Sequence, residues 1–145
     1  MIENLRSKCV HIVTAKESTS SDHDDLRFFN YLYNMRIDCT HGKEGITTWC
    51  SDDVMKAVGV DVSAVDRCVD NSFEQARNET SGNELLFEDK LIAEVYGISR
   101  HPALTINGQI YRGDLTGYDV FRAVCASFLS KDRPPTCDRK QEELK

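Results

Sequence analysis

The sequence lacks the patterns that mark most enzymes and nucleic-acid-binding proteins. Its 145 residues contain no P-loop, no G-x-G-x-x-G motif and no Ser-His-Asp signature. Lysine and arginine number 18 against 24 acidic residues, a net charge of -6 without a basic stripe, so binding to nucleic acid or to an anionic membrane surface is not expected. No apolar run approaches the ~18 residues of a membrane-spanning helix. We therefore expect a folded chain of one domain that uses no cofactor.

A C-x-x-C pair is also missing, although the sequence has six cysteines. Zinc ribbons and thioredoxin-type redox sites need two thiols at that spacing, and Cys9-x-His11 has no second ligand pair, so neither a redox centre nor a metal site is predicted. Six widely spaced cysteines favour three structural disulfides of an oxidising compartment; six reduced thiols in a cytosolic protein are the alternative. The pairs that we expect, among several possible connectivities, are Cys39–Cys50, Cys125–Cys137 and, by elimination, Cys9–Cys68.

Two further features bear on the compartment. Asn78-Glu79-Thr80 is an N-glycosylation sequon within a polar stretch, which favours the lumen of the secretory pathway and predicts a glycan on Asn78. The first six residues, by contrast, have no apolar signal-peptide core. We therefore expect either a cytosolic protein or one part of a longer protein whose targeting and membrane segments lie elsewhere.

Hydrophobic periodicity predicts helices through the first 97 residues. They cover about 2–13, 25–37, 48–58, 63–69 and 85–96, with Gly59 and Gly97 as stops. In the second of these helices we expect an inward apolar stripe that consists of Leu26, Phe29, Leu32, Tyr33 and Ile37. In the helix before Gly97, the side chains available for burial are Leu86, Ile92, Ala93 and Tyr96.

A strand pattern appears only after residue 100. Asn107-Gly108 lies between the apolar segment 103–106 and its partner segment 109–112 and predicts a tight β-hairpin. A last helix, over about 116–129, is expected to bury Val120, Phe121, Val124 and Phe128. Pro102 precedes the first strand, where the second half of a thioredoxin-like fold has a cis proline. A trans proline is equally tolerated at the start of a strand, and the sequence alone leaves the isomer open.

Several stretches form a pattern that spans nearly the whole chain. They are Ile2-Glu3-Asn4-Leu5-Arg6 with Cys9-Val10, Arg36-Ile37-Asp38-Cys39, Cys50 with Val54-Met55-Lys56 and Gly59-Val60-Asp61, Val65-Asp66-Arg67-Cys68, His101-Pro102-Ala103-Leu104 with Asn107 and Tyr111-Arg112-Gly113, and Val124-Cys125-Ala126-Ser127-Phe128. In this combination the chain resembles the central luminal region of vacuolar sorting receptors, which follows their protease-associated domain. All six cysteines have a counterpart in that family.

The resemblance implies an α+β fold, rich in helix, with a β-hairpin after a cis Pro102 and a C-terminal helix. This is a partial thioredoxin-like (DsbA-like) fold that lacks the opening β-α-β and is stapled by disulfides. We expect a single domain over 1–130, in which 1–97 is a helical insertion and 98–130 is the hairpin with its helix, followed by a tail over 131–145.

The resemblance also implies a function. It suggests a non-catalytic, cargo-binding segment of a single-pass receptor in the lumen of the Golgi or prevacuolar compartment, with sorting-signal peptides of soluble cargo as ligands. The partners implied within the receptor are an upstream protease-associated domain and downstream EGF-like repeats. The ligand-binding residues that we expect are Arg100, His101, Pro102, Tyr111 and Arg112. A thiol-disulfide oxidoreductase of DsbA-like type and a structural spacer of a larger ectodomain are the alternatives.

Overall fold

The computed structural model describes residues 2–18, 25–40, 46–75, 78 and 80–138. The elements, in chain order, are α1 (Ile2–Glu17), α2 (Arg27–Asn34) continued by a π-helical turn (Met35–Cys39), α3 (Thr48–Ala57), α4 (Val62–Asn71), α5 (Glu84–Val95), β1 (Thr105–Ile106), β2 (Gln109–Ile110), α6 (Gly117–Ala126) and two 3₁₀ turns (Ser130–Asp132 and Pro135–Asp138). This order confirms the predicted helix-rich fold with one hairpin and a closing helix.

The chain divides into two compact units, 1–88 and 89–145, called here the first and the second unit. The predicted insertion ends instead at residue 97, and the single domain over 1–130 stays a prediction. Of the tail expected over 131–145, residues 131–138 contribute to two 3₁₀ turns, the second of which is joined to α6 by a disulfide, and residues 139–145 lie outside the described residues.

The first unit is a helical bundle whose core is centred on α1. Apolar residues at helical spacing put Leu5, Cys9 and Val10 on one face of α1, and all three are fully buried. Met55 from α3 and Val65 from α4 complete the centre of the same core. The buried set repeats at the 3.6-residue period of a helix, which is why the sequence predicted α1, α3 and α4.

The predicted inward stripe of α2 is wrong. Its five members, Leu26, Phe29, Leu32, Tyr33 and Ile37, are 41% to 66% exposed. The buried positions are Tyr31 and Met35. The Tyr31 hydroxyl lies 2.9 Å from the Ser51 hydroxyl of α3, so its polar tip is satisfied inside the core. Since a disulfide also joins Cys39 to α3, these two contacts set the rotation of α2.

The hairpin of the second unit has the predicted turn. Asn107 and Gly108 both have positive φ, +48° and +77°, as a type I′ turn requires. Thr105 pairs with Ile110 and Ile106 with Gln109 in an antiparallel register. The peptide bond between His101 and Pro102 is cis, which confirms the isomer implied by the family resemblance.

Burial in the second unit is smaller than the sequence predicted. Val124 of α6 and Phe128 are exposed, so their expected burial is wrong. Ile92 of α5 and Tyr96, which follows α5, were available for burial but are exposed as well. Within the described residues of this unit, Cys125 is the buried hydrophobic side chain. The reason is geometric, because two helices and a two-stranded hairpin do not enclose a volume that shields large side chains on all sides.

Three disulfides frame the two units. Cys9–Cys68 joins α1 to α4 and Cys39–Cys50 joins the π-helical turn to α3, with Cα–Cα distances of 5.8 and 5.9 Å. Cys125–Cys137 joins α6 to the last 3₁₀ turn at 5.4 Å. These are the same pairs as those expected from the sequence, and each of the six cysteines is bridged.

Candidate functional site

A cleft of about 470 Å³ lies beside the cis proline in the second unit. Residues 97–100, Pro102 and Ala103 form one wall, and residues 110–112 of β2 and its continuation form the other. We call it the Pro102 cleft. It contains Arg100, Pro102, Tyr111 and Arg112, four of the five ligand-binding residues expected from the sequence. His101 belongs to the same segment but does not line the cleft.

The end of α5 directs the chain into the first wall. Gly97 has a φ of +64°, and its N–H donates to the carbonyl of Glu94 at 3.1 Å. The N–H of Ile98 donates to the carbonyl of Ala93 at 2.8 Å. This pair of hydrogen bonds is a Schellman motif, in which the residue with positive φ ends the helix and turns the chain. Glycine at position 97 therefore sets the direction in which 98–103 leaves the helix.

Tyr111 is held on the second wall by three features. Its N–H donates to the carbonyl of Leu104 at 2.8 Å, which extends the hairpin ladder. Its hydroxyl donates to the carbonyl of Asp114 at 3.1 Å. The ring folds back over Gly113, where a methyl group would overlap the Tyr111 hydroxyl. The sequence motif Tyr111-Arg112-Gly113 identified this segment, but the reason for its glycine appears only in the structure.

The Pro102 cleft is locally cationic in an acidic chain. From Tyr96 to Gly113 the sequence has two arginines and one histidine, and no aspartate or glutamate. Arg100 and Arg112 are both exposed. Among the described residues, neither guanidinium has a hydrogen bond or ion pair. Both are therefore available to an external acceptor.

The first unit contains a second charged cluster that sequence reasoning missed. Arg6 of α1 is only 4% exposed and donates to a carboxylate oxygen of Asp66 at 2.6 Å and to Asp52. The Ser51 hydroxyl lies 3.5 Å from Nε of Arg6. Arg6 and Asp66 both belong to stretches that carry the family resemblance, and a charge beside Leu5 on the buried face of α1 was the available signal. The cluster ties α1 to α3 and α4 and is structural.

The Asn78 sequon lies in the connection between α4 and α5. The N–H and hydroxyl of Thr80 both donate to Oδ1 of Asn78, at 3.1 and 2.6 Å. Nδ2 of Asn78 donates to Oε1 of Gln75 at 2.9 Å. Glu79 lies outside the described residues. The two sequon side chains that oligosaccharyltransferase recognises are thus in direct contact on a surface connection.

All six cysteines are bridged, so the described part of the chain has no free thiol. The Pro102 cleft contains no cysteine, and no cluster of three or more metal-ligating side chains occurs among the described residues. None of the helices in this part of the chain has the length and apolar character needed to cross a membrane. The arrangement offers a cleft, two cations and a strand edge, which are features of binding.

Comparison with known proteins identifies the family. The family model of the vacuolar sorting receptor thioredoxin-like domain matches residues 1–125. The chain is 28% identical over 142 residues to vacuolar-sorting receptor 2 of Arabidopsis thaliana and 28% identical over 141 residues to vacuolar-sorting receptor 1 of Pisum sativum. Each alignment covers 94% of this chain and 21% of the relative. The chain therefore belongs to the vacuolar sorting receptor thioredoxin-like domain family.

Proposed function

We propose that this chain is a non-catalytic, peptide-binding segment of a vacuolar sorting receptor and that the Pro102 cleft binds sorting-signal peptides of soluble cargo. The observation that carries the proposal is the juxtaposition, in one cleft, of the cis-Pro102 wall and β2, the strand whose outer edge is unpaired among the described residues. A cleft that ends on a strand edge offers both backbone and side-chain contacts to an extended ligand.

The hairpin register supports this mode of binding. Tyr111 donates to Leu104 and so forms a hydrogen-bonded pair with it, which makes Thr105 and Ile110 a non-hydrogen-bonded pair in the alternating ladder. The N–H and C=O of Ile110 therefore point away from β1, and Ile110 also lines the cleft. An extended peptide would find one donor and one acceptor at this position.

The receptor context is part of the same proposal. The relatives are named as vacuolar-sorting receptors, and the chain spans 21% of the length of those relatives. We place the chain in the lumen of the Golgi or prevacuolar compartment, within a single-pass receptor that has a protease-associated domain upstream and EGF-like repeats downstream. The three disulfides support an oxidising lumen.

A selection experiment tests peptide binding. The oxidised chain is immobilised and used to select from a displayed library of random heptapeptides. We expect enrichment of a peptide family by the wild-type chain. Ser99→Trp fills the wall of the cleft and should abolish that enrichment, whereas Ser130→Trp, an exposed serine of the same unit outside the cleft, should retain it. Enrichment that survives Ser99→Trp would place binding elsewhere, and no enrichment at all would favour a structural spacer.

A further inference from the structure

We infer that the ligand of the Pro102 cleft is an acidic peptide, whose carboxylate binds between Arg100 and Arg112. The inference rests on the proposed peptide-binding function of this cleft and adds the chemical class of the ligand. The carboxylate is supplied by an aspartate or glutamate side chain or by the free end of the peptide.

The charges around the cleft are the first argument. Arg100 belongs to the wall before Pro102 and Arg112 to the continuation of β2, so the two arginines line the cleft from its two walls. Glu94 and Asp114 are the nearest acidic residues along the sequence on either side, and neither lines the cleft. A net charge of -6 for the whole chain repels an acidic peptide at long range, so this local cationic segment is the region that would attract it.

The state of the two arginines is the second argument. Arg6 and Arg27 of the first unit are already engaged, with ion pairs to Asp66 and Asp25 at 2.6 Å. Arg100 and Arg112 have no such partner among the described residues. A ligand carboxylate therefore gains charge-assisted hydrogen bonds without breaking an internal pair.

The other residues that line the cleft indicate which peptide side chains should accompany the carboxylate. Ile98, Ala103 and Ile110 give the cleft an apolar component between the two arginines. Since an extended peptide directs alternate side chains to opposite faces, the cleft suits a carboxylate two positions from an apolar side chain. A basic peptide would place like charges against both walls and is disfavoured by repulsion.

The experiment resynthesises the peptide selected by the wild-type chain as a fluorescein conjugate and measures binding by anisotropy. We expect selected sequences to be enriched in aspartate or glutamate, or to require a free carboxyl terminus. Replacing each acidic residue by its amide isostere tests the side-chain source, and amidating the carboxyl terminus tests the chain-end source. One of these changes should weaken binding about tenfold, and binding should also weaken as salt rises.

Variants of the protein test the two arginines directly. Arg100→Gln/Arg112→Gln should weaken binding about tenfold, and Arg100→Lys/Arg112→Lys should restore part of the loss because it restores the charge without the bidentate geometry. Arg122→Gln, which removes one arginine of the same unit outside this cleft, should change binding less than about twofold. Circular dichroism checks that each variant keeps the wild-type helix content.

The outcomes separate this inference from the proposed function. The acidic-ligand inference would be overturned, while peptide binding stands, if the selected peptides lose binding to the Ser99→Trp variant but need neither a carboxylate nor the two arginines. A preference for lysine or arginine in the selected peptides would overturn it as well. Failure of the library to yield any peptide would overturn both.

Discussion

At the scale of single residues, a few polar contacts fix where individual helices begin. Asp25 is one of them, since its carboxylate accepts a hydrogen bond from Nη2 of Arg27 at 2.6 Å, from the Arg27 N–H at 3.0 Å and from the Ser18 hydroxyl at 2.8 Å. Its side chain thus fixes the start of α2. These hydrogen bonds, led by that of the Arg27 guanidinium, hold the pKa of Asp25 well below its usual range.

The lowered pKa of Asp25 predicts how stability depends on pH. A carboxyl with a lower pKa in the folded than in the unfolded state stabilises the fold above its unfolded pKa of about 3.9, and this contribution is lost as pH falls toward the folded pKa. The difference in unfolding free energy between the wild-type chain and Asp25→Asn should be constant from about pH 7 to pH 5 and shrink below about pH 4. Urea unfolding across this range measures it.

The same pH profile also reports the charge state of Asp25 between about pH 7 and pH 5. A difference that declined between about pH 7 and pH 5 would contradict the assigned hydrogen bonds, because Asp25 would then titrate in that range. We expect instead that Asp25 stays ionised in neutral and mildly acidic compartments, so that it acts as a permanent anchor of α2.

Glycosylation of Asn78 is a second prediction at this scale. Expression in a secretory pathway should give a chain that shifts to lower mass on treatment with peptide-N-glycosidase F. Thr80→Ala removes the sequon and should abolish the shift, whereas Thr80→Ser keeps a hydroxyl that can donate to Oδ1 of Asn78 and should preserve it. Mass spectrometry of the intact chain distinguishes the three forms. A shift that persists in Thr80→Ala would assign the glycan to another position.

At the scale of elements, the positions of the helices and the buried face of α1 were predictable, and the buried face of α2 was not. The period of apolar residues and the stops at Gly59 and Gly97 located α3 and α5, and Asn107-Gly108 fixed the hairpin because both positions need positive φ. The apolar stripe of α2, in contrast, lies outside. Periodicity shows only where the apolar residues of α2 lie. The buried face of α2 is set by two contacts with α3, which are the Tyr31–Ser51 hydrogen bond and the Cys39–Cys50 disulfide.

The candidate site was partly predictable for a similar reason. Pro102 and the Tyr111-Arg112 pair marked it, because they belong to the hairpin motif. The shape of the cleft could not be predicted. It depends on the direction that the chain takes after Gly97 and on the packing of the Tyr111 ring over Gly113. Neither is a periodic property of the sequence.

A matched pair of substitutions tests the orientation of α2. Tyr31 is fully buried and Phe29 is 64% exposed on the same helix. Tyr31→Ala should lower the unfolding free energy by about 3–5 kcal/mol, because it leaves a cavity and removes the shorter of the two hydrogen bonds of the buried Ser51 hydroxyl. Phe29→Ala should lower it by less than about 1 kcal/mol. Urea denaturation of the oxidised variants measures both, and a reversed order would show that the stripe predicted from the sequence faces the core after all.

At the scale of the whole molecule, the two units differ in how they are stabilised. The first has a continuous buried core that contains side chains of α1, α2, α3 and α4 together with two disulfides. The second buries little and has one disulfide, Cys125–Cys137, which closes a short loop at the end of α6. Such a bridge stabilises by about 3 kcal/mol in the chain-entropy description, a large share for a unit with a small core.

Removing that bridge should therefore loosen one unit only. In a Cys125→Ser/Cys137→Ser variant, hydrogen exchange followed by mass spectrometry should show faster exchange in peptides that cover α6 and residues 130–138. Peptides from α1 and α4 should keep their wild-type protection, since their core and their disulfides are unchanged. Equal loss of protection in both sets would mean that the two units unfold as one.

The central claim, that the Pro102 cleft is a peptide-binding site, is tested most directly by nuclear magnetic resonance. The ¹⁵N-labelled oxidised chain is titrated with the peptide selected by the wild-type protein, and amide shifts are followed residue by residue. We predict that the largest shifts lie within 97–112 and include the outward N–H of Ile110, while amides of α1 and α4 stay unchanged. Shifts confined to the first unit would contradict the account.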